Sequence, residues 1–173
     1  GANAQVTLQS CTIDHNTGSN TSGGLDVIAG ATAALLNCTF AFNSGVHDGA
    51  LNCTEATIDL GNCTIAHNTA LIDSAGLSIN SGAVSLTESI IQLNTVNGAE
   101  KDMSTCGANS IVSLGYNYIG VNMPSGFNPV TGDIVGSSAQ PLPASVEDQL
   151  TDRGSDTTVL WPLYPGPAID AGS

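Results

Sequence analysis

The chain has 173 residues, enough for one domain with a proper core, so it does not need a disulfide scaffold to fold. Lys101 and Arg153 are its only basic residues against 15 acidic ones, and the formal net charge of −13 argues against nucleic-acid backbones and anionic lipid surfaces as partners. Only 10% of residues are charged and 4% aromatic, and no window approaches ~18 uninterrupted apolar residues, which argues against a helical globule and against a membrane-spanning helix.

The opening residues, GANAQVTLQS, carry neither an initiator Met nor a basic and apolar signal sequence, and they run at once into repeated sequence. A mature or excised piece of a longer precursor is expected. The phrase QSCTIDHNTG (Gln9–Gly18) returns as LNCTFAFNSG, GNCTIAHNTA and TESIIQLNTV, which places Cys11, Cys38, Cys63 and Ser89 in one column at spacings of 27, 25 and 26 residues. A second phrase keeps the same period: GGLDVIAG from Gly23, GALNCTEA from Gly49 and AGLSINSG from Ala75. Apolar positions alternate with a period of two, as in Val6/Leu8, Leu25/Val27, Ile58/Leu60, Leu77/Ile79 and Val84/Leu86, which rejects helix in favour of strand.

Short strands recurring at a fixed period of about 26 residues predict an all-β, right-handed parallel β-helix, with two or three strands per rung and ~4.8 Å between rungs. Residues 1–119 are expected to form the rungs. Each alignment column becomes a vertical stack. Asn16, Asn43, Asn68 and Asn94 should form a corner ladder of amide hydrogen bonds. Ile13/Phe40/Ile65/Ile91, Leu25/Leu51/Leu77 and Val27/Cys53/Ile79 should form inward apolar stacks. Gly24, Gly49 and Gly76 suit positive φ angles or crowded corners. The column Cys11, Cys38 and Cys63 is expected to be buried thiols, because stacked parallel positions rarely reach disulfide torsions. Cys106 should lie one rung beyond Ile79 in the Cys53 stack, which makes a Cys53–Cys106 bridge unlikely to form.

All seven prolines lie between Pro124 and Pro167. Proline removes a ladder donor, so residues 120–173 are expected to be an irregular capping or docking segment of the same domain, with Trp161, Leu163 and Ile169 packed on the coil.

The pairing of GGLD with FAFN (Phe40–Asn43) resembles the repeats of chlamydial polymorphic membrane proteins and related bacterial β-helix adhesins. SLGYNYIG, GDIVGSSAQPL and PGPAIDAGS resemble the end of bacterial extracellular proteins with a choice-of-anchor Q domain. These resemblances imply an exported bacterial protein, extracellular or at the cell surface, and little about chemistry.

An enzyme reading needs carboxylates converging on one face. Asp14, Asp26, Asp48, Asp59 and Asp73 fall in different columns, and both basic residues lie outside the repeats, so no catalytic site is expected. His15 and His67 share a column with Phe42 between them, too far apart for one metal ion, and His47 beside Asp48 is a weak pairing. No cofactor is expected, and the metal chemistry on offer extends to weak calcium uptake by scattered outward aspartates, since no nonapeptide calcium repeat is present. Four N-x-S/T sequons begin at Asn20, Asn37, Asn52 and Asn62 in a chain rich in Asn and Thr. The expected function is a non-enzymatic structural or adhesive module, a subunit stacking end to end into a surface fibre or binding a host or cell-surface ligand. The alternative is a carbohydrate binder or degenerate polysaccharide hydrolase, using Trp161, Tyr116, Tyr118, Tyr164 or the phenylalanines as platforms.

Overall fold

The computed structural model describes residues 3–106, 110–122, 127–154 and 157–168. Those residues form an all-β parallel solenoid of about 4 turns, with ~26 residues per turn and no helix. The first rung holds β1 (Gln5–Gln9), β2 (Thr12–Asp14), β3 (Thr17–Gly18) and β4 (Leu25–Ile28). The second holds β5 (Thr32–Leu36), β6 (Thr39–Ala41), β7 (Ser44–Gly45) and β8 (Leu51–Thr54). The third holds β9 (Thr57–Gly61), β10 (Thr64–Ala66), β11 (Thr69–Ala70) and β12 (Leu77–Asn80). The fourth runs through β13 (Ala83–Thr87), β14 (Ile90–Gln92), β15 (Thr95–Val96), β16 (Ala99–Glu100) and β17 (Met103–Cys106). Then come β18 (Ser110–Ser113), β19 (Tyr118–Ile119) and β20 (Ile134–Val135).

Equivalent strands stack into four sheets, in the orders β1-β5-β9-β13-β18, β2-β6-β10-β14-β19-β20, β3-β7-β11-β15-β16 and β4-β8-β12-β17. Every pairing is parallel except β15 with β16. Complete rungs have four strands rather than the expected two or three, because a left-handed corner residue splits each CTIDHNTG-type phrase into two strands. His15, Phe42, His67 and Leu93 take φ of 55°, 57°, 59° and 59° there. A second such corner column runs through Ser10, Asn37, Asn62, Glu88 and Tyr116, and a third through Ala29, Glu55 and Ser81. Bulky residues rarely adopt this region, so stacking and ladder bonds must hold each corner.

The apolar columns stack in the expected register: Ile13, Phe40, Ile65, Ile91 and Ile119 in one sheet, Leu25, Leu51, Leu77 and Met103 in another. Thr105, not Cys106, follows Ile79 above Cys53, and Cys106 lies over Asn80 in the next column, where alternation turns it outward. The repeated glycines are crowded rather than left-handed. A Cβ on Gly24, Gly49 or Gly76 would lie 2.5, 2.4 or 2.3 Å from a backbone carbonyl of the next rung. Gly45 is tighter still: its Cβ would lie 1.9 Å from the Asp48 carbonyl oxygen and 2.6 Å from that of Thr21. Gly45→Ala is therefore expected to force rungs apart and to destabilise by about 3 kcal/mol or more, read as a fall in the urea midpoint. An unchanged midpoint would contradict this packing.

Beyond β19 the chain turns over the top of the coil. Phe127, only 6% exposed, packs on the core, and β20 adds a strand beyond β19. The chain then returns down the side as an antiparallel pair of arms, bridged at Val146/Pro162 and Thr151/Val159.

Candidate functional site

The Asn column forms a directional ladder. Asn16, Asn43 and Asn68 each donate both the backbone N–H and Nδ2 to Oδ1 of the next asparagine, at 2.8–3.1 Å. The amides of Asn43, Asn68 and Asn94 also donate to the carbonyls of Ile13, Phe40 and Ile65 on the rung before. The three are fully buried, whereas Asn16 at the head of the column is exposed. At the far end no asparagine follows Asn94. Its N–H and Nδ2 go instead to Asp102 Oδ1 at 3.0 and 2.8 Å, and Asp102 Oδ2 accepts the Val121 N–H at 2.7 Å. Asp102 is fully buried, and desolvation pushes its carboxyl up to about 7 against the pull of these donors, with Glu100 adding to the rise.

The cysteine column ends in the same manner. Cys63 N–H donates to Ser89 Oγ, Ser89 N–H to Asn117 Oδ1, and Asn117 gives its N–H and Nδ2 to Asp133 Oδ1 at 2.9 and 3.1 Å. The Asp133 Oδ2 accepts from Ser113 Oγ and Val130 N–H, and these donors hold its carboxyl below the usual range despite some burial. Neither Asp102 nor Asp133 stood out in the sequence. A signal for Asp133 was present, because NYIG (Asn117–Gly120) returns as DIVG (Asp133–Gly136) with Asp in the Asn position. Asp102 had none, because the β15–β16 hairpin that delivers it breaks the period.

Cys38 and Cys63 are buried thiols that donate to strand carbonyls, and Cys11 is half-buried at the first rung. Desolvation raises the thiol of Cys38 and pushes that of Cys63 up to about 11. A bulky thiol reagent at pH 8 should modify exposed Cys106 and then Cys11, with Cys63 at least ~100-fold slower because so little thiolate forms and none is accessible. Labelling of Cys63 at the rate of Cys106, resolved by peptide mapping, would contradict this.

At the neighbouring corner His15, Phe42 and His67 stack ring on ring with centroid distances of 5.2 Å at each step, so the histidines are two rungs apart. The carboxylates lie in the expected columns, Asp14 with Ala41 and Ala66, and Asp26 with Asn52 and Ser78. Several are engaged by neighbours: Asp14 by His15, Asp59 by Ser85, Asp73 by His47, and Asp26 by Thr21 and Asn52. Asp48 is the exception to the expected scatter, because Asp26 and Asp73 lie within electrostatic reach of it. Burial first, then those two charges, push its carboxyl up to about 6 against a Ser78 hydrogen bond. Among the described residues no group of three His, Cys, Asp or Glu side chains is placed to hold a metal ion.

The returning arms lie on the outer face of the sheet containing β2, β6, β10, β14 and β19. Tyr118 Oη donates to the Pro143 carbonyl, Gln92 and Ser145 bond reciprocally at 2.7 and 3.1 Å, His67 Nε2 donates to the Glu147 carbonyl, and Thr12 Oγ1 donates to the Thr158 carbonyl. Val146 and Leu160 are buried against Ala41 and Ala66. These two alanines are outward positions kept small to seat the arm, a signal the sequence contained. Trp161 and Leu163, expected to pack on the coil, are 47% and 38% exposed instead. Alternation along the arm turns Leu160 inward and its neighbour Trp161 outward, where Arg153 lies 5.3 Å over the indole ring. Ile169 lies outside the described residues.

The two ends of the coil differ. In the first rung Val6 is 38% exposed while its stack neighbours Ala33 and Ile58 are fully buried. Leu8, Ile13 and Leu25 are half-buried where Leu35, Phe40 and Leu51 are not exposed at all. A recess of ≈130 Å³ opens there between Val6, Leu25, Val27 and Thr32. Each of β1, β2, β3 and β4 has a sheet partner on one side alone among the described residues. At the opposite end Phe127, β20, Asp102 and Asp133 close the core and both polar columns.

No family model matches the chain, and neither a curated protein nor a solved structure matches it.

Proposed function

We propose that this chain is a non-enzymatic structural or adhesive β-solenoid module of an exported bacterial surface protein, and that its open first rung is the contact surface. One observation carries the reading: the apolar columns and strand edges of the first rung are left uncovered while the other end is closed by the chain itself. An exposed sheet edge over apolar side chains recruits further strands unless something covers it. The GGLD and FAFN phrases and the SLGYNYIG and PAIDAG elements, with their resemblance to β-helix adhesins and anchored extracellular proteins, support the surface location. Negative-stain electron microscopy across concentrations, paired with sedimentation velocity, tests the assembly. Fibres or larger oligomers that disappear when Val6 and Leu8 are replaced by lysine would support a first-rung contact. A monodisperse chain that also shows native-like amide protection in β1–β4 would sink it, because the edge would then need no cover.

A second reading, carbohydrate binding, draws on one feature: His67, Glu147, Asp148 and Leu163 border a depression of ≈420 Å³ near exposed Trp161. Arg153 and Thr151 already occupy the Glu147 carboxylate, and Arg153 also covers the indole, so the groove favours this reading less. Binding on a glycan array that is lost in Trp161→Ala would reverse the order.

A further inference from the structure

The open end presents a specific hydrogen-bonding demand, set by the direction of the Asn ladder. Every step runs one way: the backbone N–H and Nδ2 of one rung's asparagine are donated to Oδ1 of the next. Asn16 uses its donors on Asn43 and heads the column, so its Oδ1 faces the open side as the acceptor for an incoming N–H pair. The corresponding amides further along also donate to a carbonyl of the preceding rung, an acceptor that no described rung offers to Asn16. Beside the ladder, Leu8, Ile13 and Leu25 wait for apolar side chains in register.

The opposite end of the same molecule does not supply these groups. Its two polar columns finish on Asp102 and Asp133, whose carboxylate oxygens already accept hydrogen bonds from the coil. Set against Asn16 Oδ1, a terminating carboxylate would oppose acceptor to acceptor, which costs both groups their hydration without a bond. Phe127 already fills the apolar centre of that end. A terminal acceptor without donors is the economical way to stop a ladder of this polarity, since an asparagine there would leave an amide without an acceptor.

We infer that the open first rung takes a further β-solenoid turn bearing a corner asparagine, supplied by another solenoid segment, and not the Asp102/Asp133 end of a second copy. This rests on the reading of that end as the contact surface, and names its occupant. The partner is recognised by three features in register: a strand edge, an inward apolar column, and an Asn whose N–H and Nδ2 both meet Asn16 Oδ1.

The test adds a turn to the chain itself. A copy of residues 32–56, which contains Asn43, replaces residues 1–4 ahead of Gln5, and a copy of 57–82, which contains Asn68, serves as a second version should the first fail to fold. Each is made with its corner Asn kept or changed to Leu, in backgrounds with Asn16 kept or changed to Leu. The expected result is slower amide exchange through β1–β4, and an unfolding constant at least fivefold lower with the added Asn than with Leu, a difference that vanishes in the Asn16→Leu background. Such a four-way comparison isolates the coupling of the two amides from the rest of the added turn. Equal gains from Asn and Leu would overturn the ladder inference while sparing the open-end reading. No change in β1–β4 exchange with any added turn would overturn both. Head-to-tail oligomers of the unaltered chain that dissociate on Asp102→Lys or Asp133→Lys, in variants whose circular dichroism is unchanged, would overturn the assignment of the partner.

Discussion

Asn68→Ala is expected to lower stability by at least ~3 kcal/mol, whereas Asn16→Ala should cost no more than ~1 kcal/mol, although both remove the same side chain from the same column. The difference lies in what is left behind. Without Asn68 Oδ1, the Asn43 N–H and Nδ2 lose acceptors at 2.9 and 3.0 Å in a position closed to water. Without Asn68 Nδ2, the carbonyls of Phe40 and Ala66 and the Oδ1 of Asn94 each lose a donor. At Asn16 water reaches the groups that lose a partner, because the residue is exposed at the first rung. Urea denaturation of the two variants measures the contrast, and equal midpoints would show that the ladder carries no more stability inside the coil than at its edge.

The second large effect is on pH. A carboxyl whose folded value is raised binds its proton more tightly in the native state, so its stabilisation is whole below the ordinary carboxylate value and is lost as pH rises through the folded one. Asp102 moves from 3.8 to about 7. The span corresponds to a loss on the order of 4 kcal/mol between pH 4 and pH 7.5 if that carboxyl acted alone. Asp48, raised to about 6, adds a loss of the same sign ending about one pH unit lower. Asp133 opposes them: its lowered value gives stability that is present above the ordinary carboxylate range and lost as pH falls below it. Urea midpoints should therefore fall from pH 5 to pH 8, and Asp102→Asn, which cannot titrate, should flatten that fall. A midpoint that rises over this range, or a slope unchanged in Asp102→Asn, would contradict the assignment.

The solenoid was legible because it is local information repeated. A period of about 26 residues, alternating apolar positions and a recurrent Asn determine the register of the stacked strands, and every inward column predicted for the rungs pairs as expected apart from the last step above Cys53. Where the repeat degenerates, the sequence lost its power. Cys106 was placed one column off because the β15–β16 hairpin shifts the count, and Trp161 was taken as core because hydrophobicity alone does not say which side of an irregular arm meets the coil. The outward alanines Ala41 and Ala66 were a readable signal, since small apolar residues on an outer face need a cover.

By itself, then, the sequence determined the class of fold, the corner ladder and the apolar stacks, because a one-dimensional repeat makes vertical neighbours of equivalent positions. The tertiary structure alone decided how the coil ends. Asp102, Asp133, Phe127 and the seat for Val146 and Leu160 come from single, non-repeated segments that meet the coil at long range. Their partners follow from where the chain travels after the repeat stops, and no column of the alignment contains that path.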